Sequence, residues 1–79
     1  MGIRYNVMLN FDGKQSVFAF FGGDDGKEKA GKYIEENRMR YANVRREMHR
    51  KYKVAKKSYL DIKEKHERFV NAVIQKEKV

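Results

Sequence analysis

After Gly31 the chain runs to its last residue without a glycine, and proline is absent throughout. These are the residues that interrupt helices most strongly, so residues 32–79 carry no strong breaker. The N-terminal part has a different period. Ile3, Tyr5, Val7, Leu9 and Phe11 alternate with Arg4, Asn6, Met8 and Asn10, and Val17–Phe21 form a second run of β-type residues. A chain that switches once from period two to period 3.6 is constrained to an α+β architecture. The expected fold is an N-terminal two-stranded antiparallel β-hairpin followed by one long, or one broken and folded-back, amphipathic helix.

Asp12-Gly13 between the β-type runs is the signature of a type I′ turn, in which both central residues need positive φ. A two-residue turn there sets Val7 opposite Phe18 and Tyr5 opposite Phe20. Those pairs share a face with Ile3, Leu9 and Ser16, and that face is expected to pack on the rest of the chain. The other face carries Arg4, Asn6, Met8, Asn10, Gln15, Val17, Ala19 and Phe21, with Met8, Val17 and Phe21 as an apolar patch. Gly22 and Gly23 end the second strand, and Asp25-x-x-Glu28 reads as an acidic variant of the capping box.

On an ideal helix, Ala30, Tyr33, Ile34, Tyr41, Val44, Met48, Tyr52, Ala55, Tyr59, Ile62, Phe69 and Val73 fall within an arc of about 100°. Asn37 and His66 are the polar members of the same stripe. From Tyr52 onward the spacing is a heptad rhythm of coiled-coil type. Tyr52, Tyr59, His66 and Val73 form one row, and Met48, Ala55, Ile62 and Phe69 form the other. These are the candidate residues of a dimer or core seam, with His66 as a buried polar element that sets register.

Two architectures satisfy the stripe. In one, a single helix of about 75 Å runs from Gly26 to Lys76, and a hairpin of about 20 Å cannot cover it, so a second chain must. In the other, the helix breaks at Asn37, at Asn43, or at Lys57-Ser58, where Ser58-x-x-Asp61 would cap a new start. The missing breakers favour the continuous helix and a helix-paired homodimer. Either way the chain reads as one domain over residues 1–79, with the hairpin at 3–21 and a helical region at 25–76.

A chain of 79 residues and 9.4 kDa has a marginal core that is usually supplemented by disulfides, a metal or a partner. Cysteine is absent, which removes disulfides and thiolate metal sites. The formal charge of +8 is the dominant property of the composition, and it is local. Residues 1–37 carry net −1 and residues 58–79 net +1, so the excess lies within residues 38–57. On the helical wheel Arg38, Arg45, Arg46, Arg50, Lys53, Lys56 and Lys57 span an arc of about 140° beside the apolar stripe. His49 falls among them, while Arg40 and Lys51 lie on the opposite flank. Solubility alone is served by interleaved charge, as in Asp61, Lys63, Glu64, Lys65, Glu67 and Arg68.

The segregated cations point to a non-enzymatic protein that binds nucleic acid, DNA or RNA, through backbone phosphates. The alternative is an interaction module or inhibitor that sets the basic face or the apolar patch against an acidic protein partner. No catalytic set of Ser, His and Asp can be assembled. His49 and His66 lie on helix faces about 100° apart, so no metal site, and no cofactor, is expected. Asp24 and Asp25 are read as helix-entry residues. Tyr41, Tyr52 and Tyr59 sit on the stripe and are read as core or seam, and not as stacking platforms for bases. Phe18, Phe20 and Phe21 are only weakly similar to an aromatic RNA-binding sheet surface. No signal peptide, myristoylation motif or membrane span is recognised, which makes a reducing, cytoplasmic setting without a membrane partner the expectation.

Overall fold

The computed structural model describes residues 2–50 and 56–79. In chain order the elements are β1 (Ile3–Phe11), β2 (Lys14–Gly22), α1 (Gly26–Arg50), α2 (Lys56–Val70) and β3 (Val73–Lys78). The strands form a three-stranded antiparallel sheet in the order β2-β1-β3, and the helices lie on one of its faces. The fold is α+β, with the N-terminal hairpin followed by a helical region.

The hairpin turn has the geometry that Asp-Gly requires. Asp12 has φ of 52° and Gly13 of 87°, and the Asn10 side-chain oxygen accepts the Gly13 N–H at 2.8 Å. The expected register holds from Phe11↔Lys14 to Met8↔Val17 and then slips by one residue. Val7 faces Ala19 and not Phe18, and Tyr5 faces Phe21 and not Phe20. The cause is a β-bulge that leaves Phe18 as the extra residue. Beyond it the faces of β2 exchange. Ala19 and Phe21 turn toward the helices, where the Phe21 ring lies 5.5 Å from that of Tyr33. Phe20 turns to the open face, with the Arg4 guanidinium 4.8 Å above its ring. The apolar patch on the open face is therefore Met8, Val17 and Phe20, with Phe20 replacing Phe21.

Asp25 precedes α1, and its carbonyl accepts the first α-helical bond, from Lys29 N–H at 2.9 Å. Asn37 does not break the helix despite being buried. Its side-chain amide donates to the Tyr33 carbonyl one turn earlier at 2.8 Å, which satisfies one donor inside the stripe. Asn43 also lies within α1. Instead two separate helices, α1 to Arg50 and α2 from Lys56, pack antiparallel through pairs such as Tyr41–Phe69 and Arg45–Tyr59, so the chain adopts the broken, folded-back architecture and not the continuous helix to Lys76. Lys57 and Ser58 lie inside the first turn of α2, so Ser58 is not the cap of a new helix start. Among the seam and basic residues, Tyr52, Ala55 and Lys53 lie outside the described residues.

The helical region also ends earlier than residue 76. Asn71 N–H donates to the Glu67 carbonyl at 3.0 Å and Ala72 N–H to that of Phe69 at 3.4 Å, closing α2. Val73–Lys78 then pair antiparallel with β1, from Met8↔Val73 to Ile3↔Lys78. Val73 continues the heptad in sequence but lies in a strand. Polar side chains tie this pairing across the open face. Arg4 reaches Glu77 at 3.0 Å, and the Asn6 amide reaches Gln75 at 3.2 Å and Glu77 at 2.6 Å. The hydrogen bond from Asn6, followed by the bond and charge of Arg4, holds the Glu77 carboxyl below its ordinary range.

The core is Val7, Leu9, Ala30 and Phe69, enclosed by half-buried side chains that include Tyr5, Phe21, Tyr33, Ile34 and Tyr41. It lies between the sheet and the parts of the helices nearest to it. The molecule is elongated, with a longest dimension of 53 Å and a radius of gyration of 14.9 Å. A compact chain of this length would have about 12 Å.

Candidate nucleic-acid interface

The antiparallel helices have two environments. Near the sheet they are held by aromatic contacts. Tyr41 stacks on Phe69 at 5.7 Å, and Tyr33 meets Phe69 edge-on at 6.2 Å. Toward the break the contact is polar. Arg45 donates from Nε to the Tyr59 hydroxyl at 3.2 Å and from Nη1 to His66 Nδ1 at 3.1 Å. Arginine can only donate, so His66 Nδ1 is the acceptor and its ring proton sits on Nε2. The Tyr59 hydroxyl accepts from Arg45 and is also hydrogen-bonded to His49 Nε2, 2.8 Å away. The His49 ring also meets the Tyr59 ring edge-on at 4.9 Å. Val44, Met48 and Ile62 are half-buried members of the same stripe.

The fold-back sorts the candidate cations. Arg45 is turned inward and is half-buried between the helices. Arg46 and Arg50 lie at the end of α1 and Lys56 and Lys57 at the start of α2, so the reversal brings them to one end of the hairpin, all exposed. Arg50 approaches Glu47 at 3.7 Å and Arg38 approaches Glu35 at 3.4 Å, both as exposed pairs one turn apart. Such pairs contribute little and leave the cations available. Arg46, Lys56 and Lys57 have no ion pair among the described residues. Arg38 sits about 12 Å farther back along α1. Lys53 lies outside the described residues.

Of the seam residues, Tyr59, Ile62, His66 and Phe69 lie on α2, with Met48 on α1 and Val73 in β3. Phe69 is in the core, and Tyr59 and His66 join α2 to α1. At helix entry Asp25 pairs with Lys29 at 3.4 Å.

A helix start near Lys57-Ser58 was one of the expected alternatives, and Lys56 and Lys57 stand at such a start. They open α2, whose first turn holds no acidic residue, so two cations face the positive end of the helix dipole. Such a placement costs about 0.3–1 kcal/mol per charge unless an anion lies nearby.

Among the described residues no three His, Asp or Glu side chains come together as a ligand set for a metal ion. No helix among them is long and apolar enough to cross a membrane. Fold and site together define a small α+β protein of ββααβ order that carries a cationic helical hairpin on a three-stranded sheet. No protein-family model matches the chain, and comparisons with curated proteins and with solved structures find no match.

Proposed function

We propose that this is a non-enzymatic nucleic-acid-binding protein that grips backbone phosphates with the free end of its helical hairpin. The supporting observation is the convergence there of Arg46, Arg50, Lys56 and Lys57 from two helices that the sequence joins through a basic stretch. Like charges gathered at one end repel one another, and two of them oppose a helix dipole. A polyanion relieves both costs and releases its own counterions on binding. Contacts of this kind position a nucleic acid without reading its bases.

The test is charge reversal of Arg46, Lys56 and Lys57 to Glu, with binding followed by fluorescence anisotropy on duplex DNA, single-stranded DNA and RNA. Binding at low salt is expected to fall by at least about a hundredfold, with helicity unchanged by circular dichroism. Undiminished binding by a folded variant contradicts the reading.

One feature favours a second reading, a protein partner seated on the apolar patch. The open sheet face exposes Val17, Phe20 and Val73 at 47%, 60% and 44%, beside the mutually neutralised Arg4–Glu77 pair. That reading predicts no nucleic-acid binding at low salt. It also predicts a complex with one protein that is lost when Phe20 becomes Lys.

A further inference from the structure

Where the hairpin meets the sheet, the bulge residue Phe18 opens a second site. Phe18 is 51% exposed, and its ring lies 6.3 Å from that of Phe11 in a stacked arrangement and meets Phe69 edge-on at 5.9 Å. With Tyr41 stacked on Phe69 and the buried Leu9, these rings line a half-open cleft of about 90 Å³. Among the described residues, the only charged side chains lining it are Lys65 and Arg68. The Arg68 guanidinium lies 4.5 Å over the Phe11 ring, with Glu64 at 3.9 Å, and Lys65 is exposed.

The chemistry of this cleft is specific. A dry cavity of about 150 Å³ accommodates a whole benzene ring, so this smaller, open cleft admits the edge of one flat ring. Cations beside it favour a ring that carries an anion. Lys65 lies about 12 Å along α2 from Lys57, with Asp61 between them on the same helix row, so a single strand of a few nucleotides would span from the cationic end of the hairpin to the cleft. A base paired within a duplex has both faces stacked and offers none to Phe18. We propose that this cleft takes an unpaired nucleobase of a single-stranded nucleic acid, stacked on Phe18, with Lys65 and Arg68 on the adjoining phosphates. The proposal rests on the phosphate-binding reading and adds to it a preference for single strands.

The bulge explains why Phe18 is placed to do this. Without the slip Phe18 would stand in regular alternation opposite Val7, within the pleated sheet. As the extra residue it is left outside the ladder, on the edge strand beside α2.

The test compares a thymidine homopolymer with an abasic deoxyribose-phosphate chain of the same length, which carries the same charge and no bases. Wild type is expected to bind the thymidine chain about tenfold more tightly. Phe18→Leu, which keeps apolar bulk and removes the aromatic face, is expected to bring the two affinities together while leaving duplex binding unchanged. Phe20→Leu, a substitution of a somewhat more exposed phenylalanine on the other face of the sheet, is expected to change neither. Equal binding of the thymidine and abasic chains by wild type, with both weakened by salt, overturns the base site and leaves the phosphate reading standing. Full retention of the preference by Phe18→Leu, with duplex binding still normal, overturns the base site in the same way. If the thymidine, abasic and duplex probes all fail to bind at low salt, the phosphate reading fails and the base site with it. In that event a partner protein whose capture Phe18→Leu abolishes assigns the cleft to an aromatic side chain of that protein.

Discussion

A side-chain carbon at Gly26 would lie 2.8 Å from the Phe21 carbonyl oxygen and 2.9 Å from the Tyr5 ring. The first turn of α1 therefore rests on the hairpin at a distance only glycine permits. Gly31, in the same helix, has no neighbour within 4 Å of that position. Replacing Gly26 by Ala is expected to cost about 1–3 kcal/mol by urea denaturation. The same change at Gly31 should gain up to about 1 kcal/mol from helix propensity. Equal effects at the two sites would contradict the packing described. Glu77 gives a second prediction at this scale. Its carboxyl is held below the ordinary value of 4.5 in the folded chain by Asn6 and Arg4. Its stabilising contribution is thus complete above the carboxylate range and is lost as pH falls through the lowered value. Glu77→Gln should be less stable than wild type at neutral pH, with the gap closing on acidification. A gap independent of pH would show that the charge of Glu77 plays no part in holding β3.

At the scale of elements, the helical hairpin depends on Arg45, Tyr59 and His66 where aromatic packing against the sheet has ended. Tyr59→Phe leaves Arg45 Nε and His49 without their shared hydroxyl, at a site water can reach, and should cost about 0.5–1.5 kcal/mol. Amide exchange should accelerate in the ends of α1 and α2 near the break, while β1 stays protected. Acceleration spread evenly over the molecule would contradict a separately held hairpin. Much of this architecture was legible. The period-two run gave β1 and β2, Asp12-Gly13 gave the turn, and the stripe gave the buried faces of both helices. What was missed depends on contacts distant in sequence. A heptad repeat serves equally for a seam between chains and for two helices of one chain folded together, so the choice could not be made locally. Val73 matched the stripe by position, yet β1 offered an open edge, and Arg4 and Asn6 offered partners for Glu77 and Gln75. Asn71, just beyond the last turn of α2, was the local stop signal available. The bulge at Phe18 had no signal, because glycine is absent from that run and either register buries a phenylalanine.

For the whole molecule, the folded-back chain covers its own stripe. A longest dimension of 53 Å is shorter than the about 75 Å of an unbroken helix. Small-angle scattering is expected to give a radius of gyration near 15 Å, and light scattering a mass near 9.4 kDa. A maximum dimension well above 53 Å in a particle of twice the mass would favour paired long helices instead. The candidate site was legible as a composition and less so as a surface. Residues 38–57 held the charge, as the sequence indicated, but the fold removes Arg45 from the basic face and makes two helix ends, not one helix face, the cationic feature. The arrangement accounts for a small chain with so much uncompensated charge. The sheet and its core serve as a mount, and the hairpin carries the cations away from the acidic residues near the start of α1.

If Arg46, Arg50, Lys56 and Lys57 act together on phosphates, as proposed, the salt dependence of binding is where their joint action must appear. Each neutralised phosphate on duplex DNA contributes about −0.9 to the slope of log affinity against log salt. These cations predict a slope of about −4 for the wild-type chain, flattening to about −1 when Arg46, Lys56 and Lys57 become Glu. Binding that is indifferent to salt, or a slope that the substitutions leave unchanged, would contradict the account.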